Sequence, residues 1–274
     1  MEINTNGNQF NEVALLITHY NRSKSLENLL ASFKNIHCSF GEIIVSDDGS
    51  SDKHLVKLQD LSEIYNFRLI KAVKNSGLGN NINKGQDAVK KPYTLYIQED
   101  FEPSADFTEV FCKSLNLLQS NQQFDIIRFY AYAPYPYVKP FNDQFDKLYF
   151  PKFGIRYTKI YAYSDHPHLR RSNFFNKFGR YPEGLKGDLT EYKMCISFLQ
   201  NNGQGLFYRD YQNLLKQKNS EDEPSTMERS SWKNNQDLLT TLTRDIYRQL
   251  KYNYDILFMK RLKGIYTRDK QSWN

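Results

Sequence analysis

The sequence predicts an α/β fold built on a mostly parallel, doubly wound sheet, and three observations carry that prediction. Short apolar runs recur with the length and continuity of strands buried on both faces, beginning with Val13-Ala14-Leu15-Leu16-Ile17. Segments with helical spacing alternate with them over the first hundred residues. Polar clusters follow the strands rather than the helices, and in such sheets ligands bind at the carboxyl ends of strands.

After the strand over 13–17, residues 23–33 place Leu26, Leu29, Leu30 and Phe33 on one helical face, with Ser23 or Ser25 as cap. Glu42 to Ser46 is a second strand ending in Asp47-Asp48-Gly49-Ser50, and residues 52–65 are again helical through Leu55, Leu58, Leu61 and Ile64. Phe67 to Val73 is a third strand, Asn75 to Gly79 a glycine turn, residues 80–90 a helix, and Thr94 to Ile97 a fourth strand. The clusters Thr18-His19-Tyr20-Asn21, Asp47-Asp48, Asn75 and Glu99-Asp100 then meet at one edge. Beyond residue 105 the alternation fades. Phe107 to Leu118 reads as helix and Asp125 to Tyr132 as strand. Residues 130–163 are rich in Tyr, Phe and Pro, which favours irregular structure or edge strands. Residues 189–201 form a helix closed by Asn201-Asn202-Gly203, and residues 216–235 are polar and expected to be mobile.

The chain has 274 residues, 39% hydrophobic and 25% charged, enough for one large domain with an appendage. No apolar run approaches the ~20 residues of a spanning helix, and Met1 to Asn11 lacks a signal-peptide pattern. A cytoplasmic location is the expectation. Cys38, Cys112 and Cys195 fit neither a disulfide framework nor a zinc site. From Arg244 to Lys270 the chain carries Arg244, Arg248, Lys251, Lys260, Arg261, Lys263, Arg268 and Lys270 against Asp245, Asp255 and Asp269, interleaved with aromatics. That pattern suits an amphipathic helix with a basic polar face, and it suits peripheral contact with an anionic membrane. The basic stretch is too short to suggest a nucleic-acid partner.

The chemistry concentrates at Gln98-Glu99-Asp100-Phe101-Glu102-Pro103, where an apolar strand runs into three carboxylates. Charges at the end of a buried strand must be paired, hydrated or bound to a cation, and Mg²⁺ or Mn²⁺ prefers such oxygen ligands. A solvated strand-end turn is the plainer alternative. Ser164-Asp165-His166-Pro167-His168 reads as a turn. Without another nearby Cys or His it does not make a zinc site.

Four blocks in order over residues 12–103 resemble the inverting, nucleotide-sugar-dependent glycosyltransferases of family 2, with the GT-A fold. They are Leu16-Ile17-Thr18-His19-Tyr20-Asn21-Arg22, Glu42 to Asp52, Asn75-Ser76-Gly77-Leu78-Gly79 with Asn83 and Gly85, and Tyr93 to Pro103. The resemblance implies a GT-A domain over 1–215, divided into a nucleotide-sugar half at 12–103 and an acceptor half at 104–215. A polar linker and basic helical extension follow at 216–274. It implies that Thr18, Tyr20, Asn21, Arg22, Asp47, Asp48, Asn75, Gly77, Gly79, Asn83, Gln98 and Glu99 shape the donor site, with Asp47 accepting a hydrogen bond from the nucleobase. Asp100 would meet Mn²⁺ or Mg²⁺, although the family's usual aspartates are Gln98 and Glu99 here. Glu191, with Asp188 as competitor, falls on the general base, and His168, Arg170 and Arg171 are candidate acceptor or diphosphate contacts. The implied donor is a nucleoside-diphosphate sugar, a UDP-sugar foremost. The implied acceptor is a glycan or lipid-linked glycan of surface polysaccharide assembly. Two rival readings stand beside it: a non-catalytic GT-A-like binding subunit, and a nucleotidyltransferase, against which the lack of glycine in residues 18–22 counts.

Overall fold

A computed structural model describes residues 9–151, 156–218, 223 and 238–263. The N-terminal residues 1–8, most of the polar stretch 219–237 and the basic residues Arg268 and Lys270 lie outside the described residues.

The first half alternates as its apolar spacing requires: β1 (Gln9–His19), α1 (Ser23–Asn35), β2 (Ser39–Asp47), α2 (Asp52–Tyr65), β3 (Arg68–Lys71), α3 (Leu78–Ala88) and β4 (Tyr93–Gln98). These four strands pair in parallel in the order β3-β2-β1-β4. Helices cover both faces of the sheet. Val13, Leu15 and Ile17 point into a core with α1 and α2, while Leu16 points into a second core with Ile82 of α3. Leu15, Leu16 and Ile17 are fully buried, each worth on the order of 2 kcal/mol relative to an exposed side chain.

The second half holds β5 (Phe101–Pro103), α4 (Phe107–Ser120), β6 (Ile126–Arg128), β7 (Val138–Pro140), β8 (Phe145–Leu148), a 3-10 helix (Tyr157–Ala162) and β9 (His168–Arg171). It continues through α5 (Phe174–Phe178), α6 (Gly187–Gln200), β10 (Gly205–Tyr208), α7 (Tyr211–Leu214), β11 (Leu215–Gln217) and α8 (Leu238–Phe258). The sheet extends past β4 as β9-β6-β10-β8-β7. Here it becomes mixed, because β9 runs antiparallel to both β4 and β6. Only three residues of the expected strand over 125–132 join the sheet. The proline-rich stretch beyond supplies the edge strands β7 and β8, as its composition suggests.

One local outcome differs from expectation. The serines at the start of α1 do not cap it. The Glu223 carboxylate accepts from the amides of Lys24 and Ser25 at 2.9 and 2.8 Å and from Ser25 Oγ, bringing negative charge to a helix N-terminus. Within the segment over 216–274, the described residues contact the rest of the chain. β11 pairs with β5, and α8 packs on α6 through Tyr192 and Tyr252, whose ring centroids lie 5.0 Å apart. Gln200 Nε2 closes the end of α8 by donating to the carbonyls of Asp255, Ile256 and Met259. Among the described residues no helix is long and apolar enough to cross a membrane.

Candidate active site

Parallel strands deliver their carboxyl ends to one edge of the sheet. There Thr18 and His19 of β1, Asp48 after β2 and Gln98, Glu99 and Asp100 after β4 line a cavity of about 1350 Å³. Arg128, at the end of β6, reaches the same edge because β6 runs parallel to β4 across the intervening β9. β9 runs the other way, so the residues before it, Ser164, Asp165 and His166, enter the cavity rather than those within it. Lys186, Gly187 and Asp188 at the start of α6, together with Glu191, form a further wall. Ile246, Gln249 and Leu250 of α8 close the rim.

The two aspartates after β2 divide their labour. Asp47 is fully buried and off the cavity. Its oxygens are taken by His19 Nδ1 at 2.8 Å, Ser50 Oγ at 2.5 Å and the amides of Gly49 and Ser50, both at 3.0 Å. Burial would raise its pKa, but these hydrogen bonds prevail and hold it below the usual carboxylate range. This corrects the expectation that Asp47 meets a nucleobase, since it has no oxygen left to offer. Asp48, also largely buried, takes the place on the cavity. It lines the cavity and accepts the amides of Ser76 and Gly77 at 2.9 Å each. Those bonds tie β2 to the turn before α3, where Gly77 adopts φ 84°, a left-handed conformation suited to glycine.

Other donor-site expectations separate in the same way. Thr18, Tyr20, Arg22, Asn75, Gly77, Gln98 and Glu99 line the cavity. Asn21, Gly79 and Asn83 do not. Asn21 braces the Ser50-Ser51 turn through both its amide and its side chain, each at 2.8 Å. Asn83 is buried and bonded to the backbone of Tyr181 and to Glu183. Gly79 sits where a Cβ would lie 2.3 Å from the carbonyl oxygen of Pro182. Gly79 and Asn83 hold α3 against the segment from Tyr181 to Glu183, and Asn21 holds the turn before α2.

The carboxylates after β4 test whether a cation fits. Asp100 Oδ2 accepts from Arg22 Nη1 at 3.0 Å and Gln217 Nε2 at 2.8 Å, while Oδ1 is buried and has no hydrogen-bond partner among the described residues. Burial, reinforced by the negative charge of Asp100, pushes Glu99 up to about 8, so it is protonated at neutral pH despite Arg22 at 3.7 Å. Gln98 is neutral. Among the described residues no group of three metal-ligating side chains converges. Asp100 Oδ1 therefore fits a divalent cation as a single protein ligand, with other oxygens coming from a bound substrate.

Across the cavity, Glu191 Oε1 accepts the amide N–H of Asp165 at 3.3 Å. Burial raises Asp165 well above the usual carboxylate range, and the charge of Glu191 and a hydrogen bond to it act in the same direction. Asp165 therefore keeps its proton at neutral pH beside the Glu191 carboxyl. The Arg128 guanidinium stands beside it, donating to the carbonyls of Tyr161 and Tyr130 and to Ser164 Oγ. Asp188 is exposed at the first turn of α6, on the same wall. His166 also faces the cavity. Burial and the nearby Arg128 charge lower its pKa to about 3, so it is neutral.

His168, Arg170 and Arg171, expected as acceptor or diphosphate contacts, are kept from the cavity by the strand they form. Arg170 is fully buried against Tyr96, Phe174 and Phe175 and donates to Gln86 Oε1 at 2.7 Å. Arg171 donates to the carbonyls of Leu118, Asn121 and Phe124. His168 is fully buried.

Residues 14–179, more than half of the chain, match the family model described as glycosyl transferase family 2. The chain belongs to this family. Over 92 residues this transferase is 26% identical to a poly-beta-1,6-N-acetyl-D-glucosamine synthase of Staphylococcus epidermidis, covering 34% of this chain and 22% of that protein. Over 94 residues it is 27% identical to a teichoic acid poly(glycerol phosphate) polymerase of the same species, covering 34% and 13%. The matches thus span about a fifth or less of these curated relatives. Among solved structures, S. aureus TarS 1-349 in complex with UDP-GlcNAc superposes with a TM-score of 0.60 at 15% identity, covering 92% of this chain and 68% of that one. The mannosyltransferase PcManGT from Pyrobaculum calidifontis, in complex with GDP-Man and Mn2+, gives 0.52 at 12% identity, covering 73% and 55%. At these identities the likeness shows the shared GT-A fold.

Sequence reasoning gave no site role to Arg128 and read Asp165 only as part of a turn. Arg128 interrupts the apolar run Ile126-Ile127-Arg128-Phe129, and a charge inside a buried strand is itself a signal, because such charges persist only when paired or functional. Asp165 had no such signal, since only the antiparallel course of β9 brings it to Glu191.

Proposed function

We propose that this family 2 transferase moves a glycosyl group, with inversion, from a nucleoside-diphosphate sugar to a hydroxyl of a glycan or lipid-linked glycan, in the cytoplasm. The supporting observation is the juxtaposition in one cavity of Asp48, Asp100 and Arg22 on one side with the Asp165–Glu191 carboxyl pair on the other. A UDP-sugar is the favoured donor. Surface polysaccharide assembly is the favoured setting, in line with the named activities of the two staphylococcal relatives.

In this reading Thr18, Tyr20, Asp48 and the Asn75–Gly77 turn hold the nucleoside. The diphosphate lies toward Asp100 and Arg22. A divalent cation on Asp100 Oδ1 would neutralise charge on the departing diphosphate. Glu191 removes the proton of the acceptor hydroxyl. The hydroxyl oxygen bonds to the anomeric carbon from the face opposite the diphosphate, and the carbon–oxygen bond to the diphosphate breaks with its electron pair leaving on that group. Asp165 positions Glu191 through its backbone amide, and Arg128 balances the charge of the pair.

The neutral Gln98 and protonated Glu99 favour a second reading, a nucleotide- or glycan-binding subunit without turnover. Thermal stabilisation by UDP, GDP, dTDP and CDP, each with and without Mn²⁺, separates the two when combined with donor turnover. A ligand that binds only the folded state raises stability with the logarithm of its concentration over Kd. The transferase reading expects a shift selective for one nucleotide, enhanced by Mn²⁺ and lost in Asp100→Ala, with donor consumption. A selective shift without consumption in any acceptor mixture supports the binding subunit, and no shift with any nucleotide removes the transferase reading and leaves a glycan-binding subunit.

A further inference from the structure

α8 has two apolar faces, and among the described residues packing covers only one. Tyr252 and Ile256, with Met259 and Leu262 just beyond the helix, pack on the core beneath α6. On the opposite face Ile246, Tyr247, Leu250, Tyr254, Leu257 and Phe258 are 53–73% exposed. At 3.6 residues per turn these six positions form two adjacent rows along the helix. Contiguous exposed apolar surface of this kind marks an interaction site.

Its chemistry narrows the partner. The aromatic members, Tyr247, Tyr254 and Phe258, have ring bodies suited to a boundary between water and hydrocarbon, and Tyr254 and Phe258 already stack at 4.8 Å. The charges beside this face are cationic. Lys260, Arg261 and Lys263 are exposed where the helix ends. The acidic residues of the helix are engaged elsewhere: Asp255 is bound by Lys251 and Tyr192, and Asp245 lines the cavity beside Arg248. Ile246 and Leu250 belong at once to the exposed face and to the rim of the cavity.

From this arrangement we infer that the outer face of α8 docks on an anionic lipid bilayer and holds the rim of the active-site cavity at the membrane surface, so that the acceptor is presented from a lipid anchor. The inference rests on the proposed transferase reading for the acceptor alone. The docking surface stands without it.

The test is co-sedimentation of the full chain with vesicles. Phosphatidylcholine alone is compared with phosphatidylcholine carrying about one-third phosphatidylglycerol, at low and high salt. Each basic group near an anionic surface strengthens binding roughly fivefold, so binding should be at least about tenfold tighter to the anionic vesicles and weaken with salt. The double variant Tyr254→Ser with Leu257→Ser should lose about tenfold or more, because both side chains lie outside the cavity and insert only into lipid. Lys260→Glu with Arg261→Glu should remove the preference for anionic vesicles. An unchanged circular dichroism spectrum and nucleotide-induced thermal shift would show that each variant is folded.

Equal binding to both vesicle types, or binding indifferent to both variants, overturns the inference. Absence of vesicle binding overturns it too, and a wild-type dimer dispersed by the apolar variant would then assign the face to a second copy of this chain. Vesicle binding without any nucleotide shift would sink the transferase reading and leave the docking surface in place.

Discussion

Replacing Glu99 by glutamine isolates one buried proton. Burial and the charge of Asp100 lift the Glu99 carboxyl from 4.5 to about 8. A raised pKa means that the folded chain keeps its proton while the unfolded chain releases it. The stabilisation is therefore complete below the unfolded value and is lost as pH rises through the folded one. One pKa unit corresponds to about 1.4 kcal/mol, so this group lowers wild-type stability by about 3 kcal/mol between about pH 5 and about pH 7.5. Glutamine keeps the shape and neutrality of the protonated acid and cannot titrate. Neighbouring groups titrate as well: His166, held neutral at about 3, makes stability fall as pH drops through the unfolded histidine range, the opposite sign. The informative quantity is thus the difference between variant and wild type, from urea unfolding at each pH. The variant should gain on wild type by about 3 kcal/mol across that window. Parallel stability curves would refute a protonated Glu99, and Glu99 would then be available to a cation beside Asp100.

The remaining predictions concern the opposite wall and α3. Glu191→Gln should lower turnover by roughly 10²–10⁴-fold while leaving the nucleotide thermal shift intact. Retained turnover, coupled with its loss in Asp188→Asn, would transfer the base to Asp188. Gly79→Ala forces a methyl against the Pro182 carbonyl, which backbone cannot yield. It should cost about 1–3 kcal/mol in urea unfolding and weaken the nucleotide shift by displacing Gly77 and Leu78. A fully stable Gly79→Ala protein would show that the close approach of α3 to Pro182 is not needed.

Much of the donor half is legible in the sequence because its information is local. Buried parallel strands are continuous apolar runs, their helices carry a 3.6-residue period, and parallel direction sends every strand-end cluster to the same edge. That logic gathers Thr18, Tyr20, Asp48, Gln98 and Asp100 at one edge, where they line a single cavity. It does not distinguish Asp47 from Asp48, because which of two adjacent carboxylates turns inward depends on His19 and Ser50 arriving from other segments.

What the sequence by itself determined is therefore the alternating fold, the polar edge and the family. The tertiary structure alone decided how the far wall is built. β9 enters the sheet antiparallel, so the charged run His168 to Arg171 is buried as strand while Asp165 and His166 before it reach the cavity. α8, distant in sequence, folds back to complete the rim. Strand direction and long-range docking are set by which surfaces remain to be covered once the local elements have formed, and no window of the sequence contains that information.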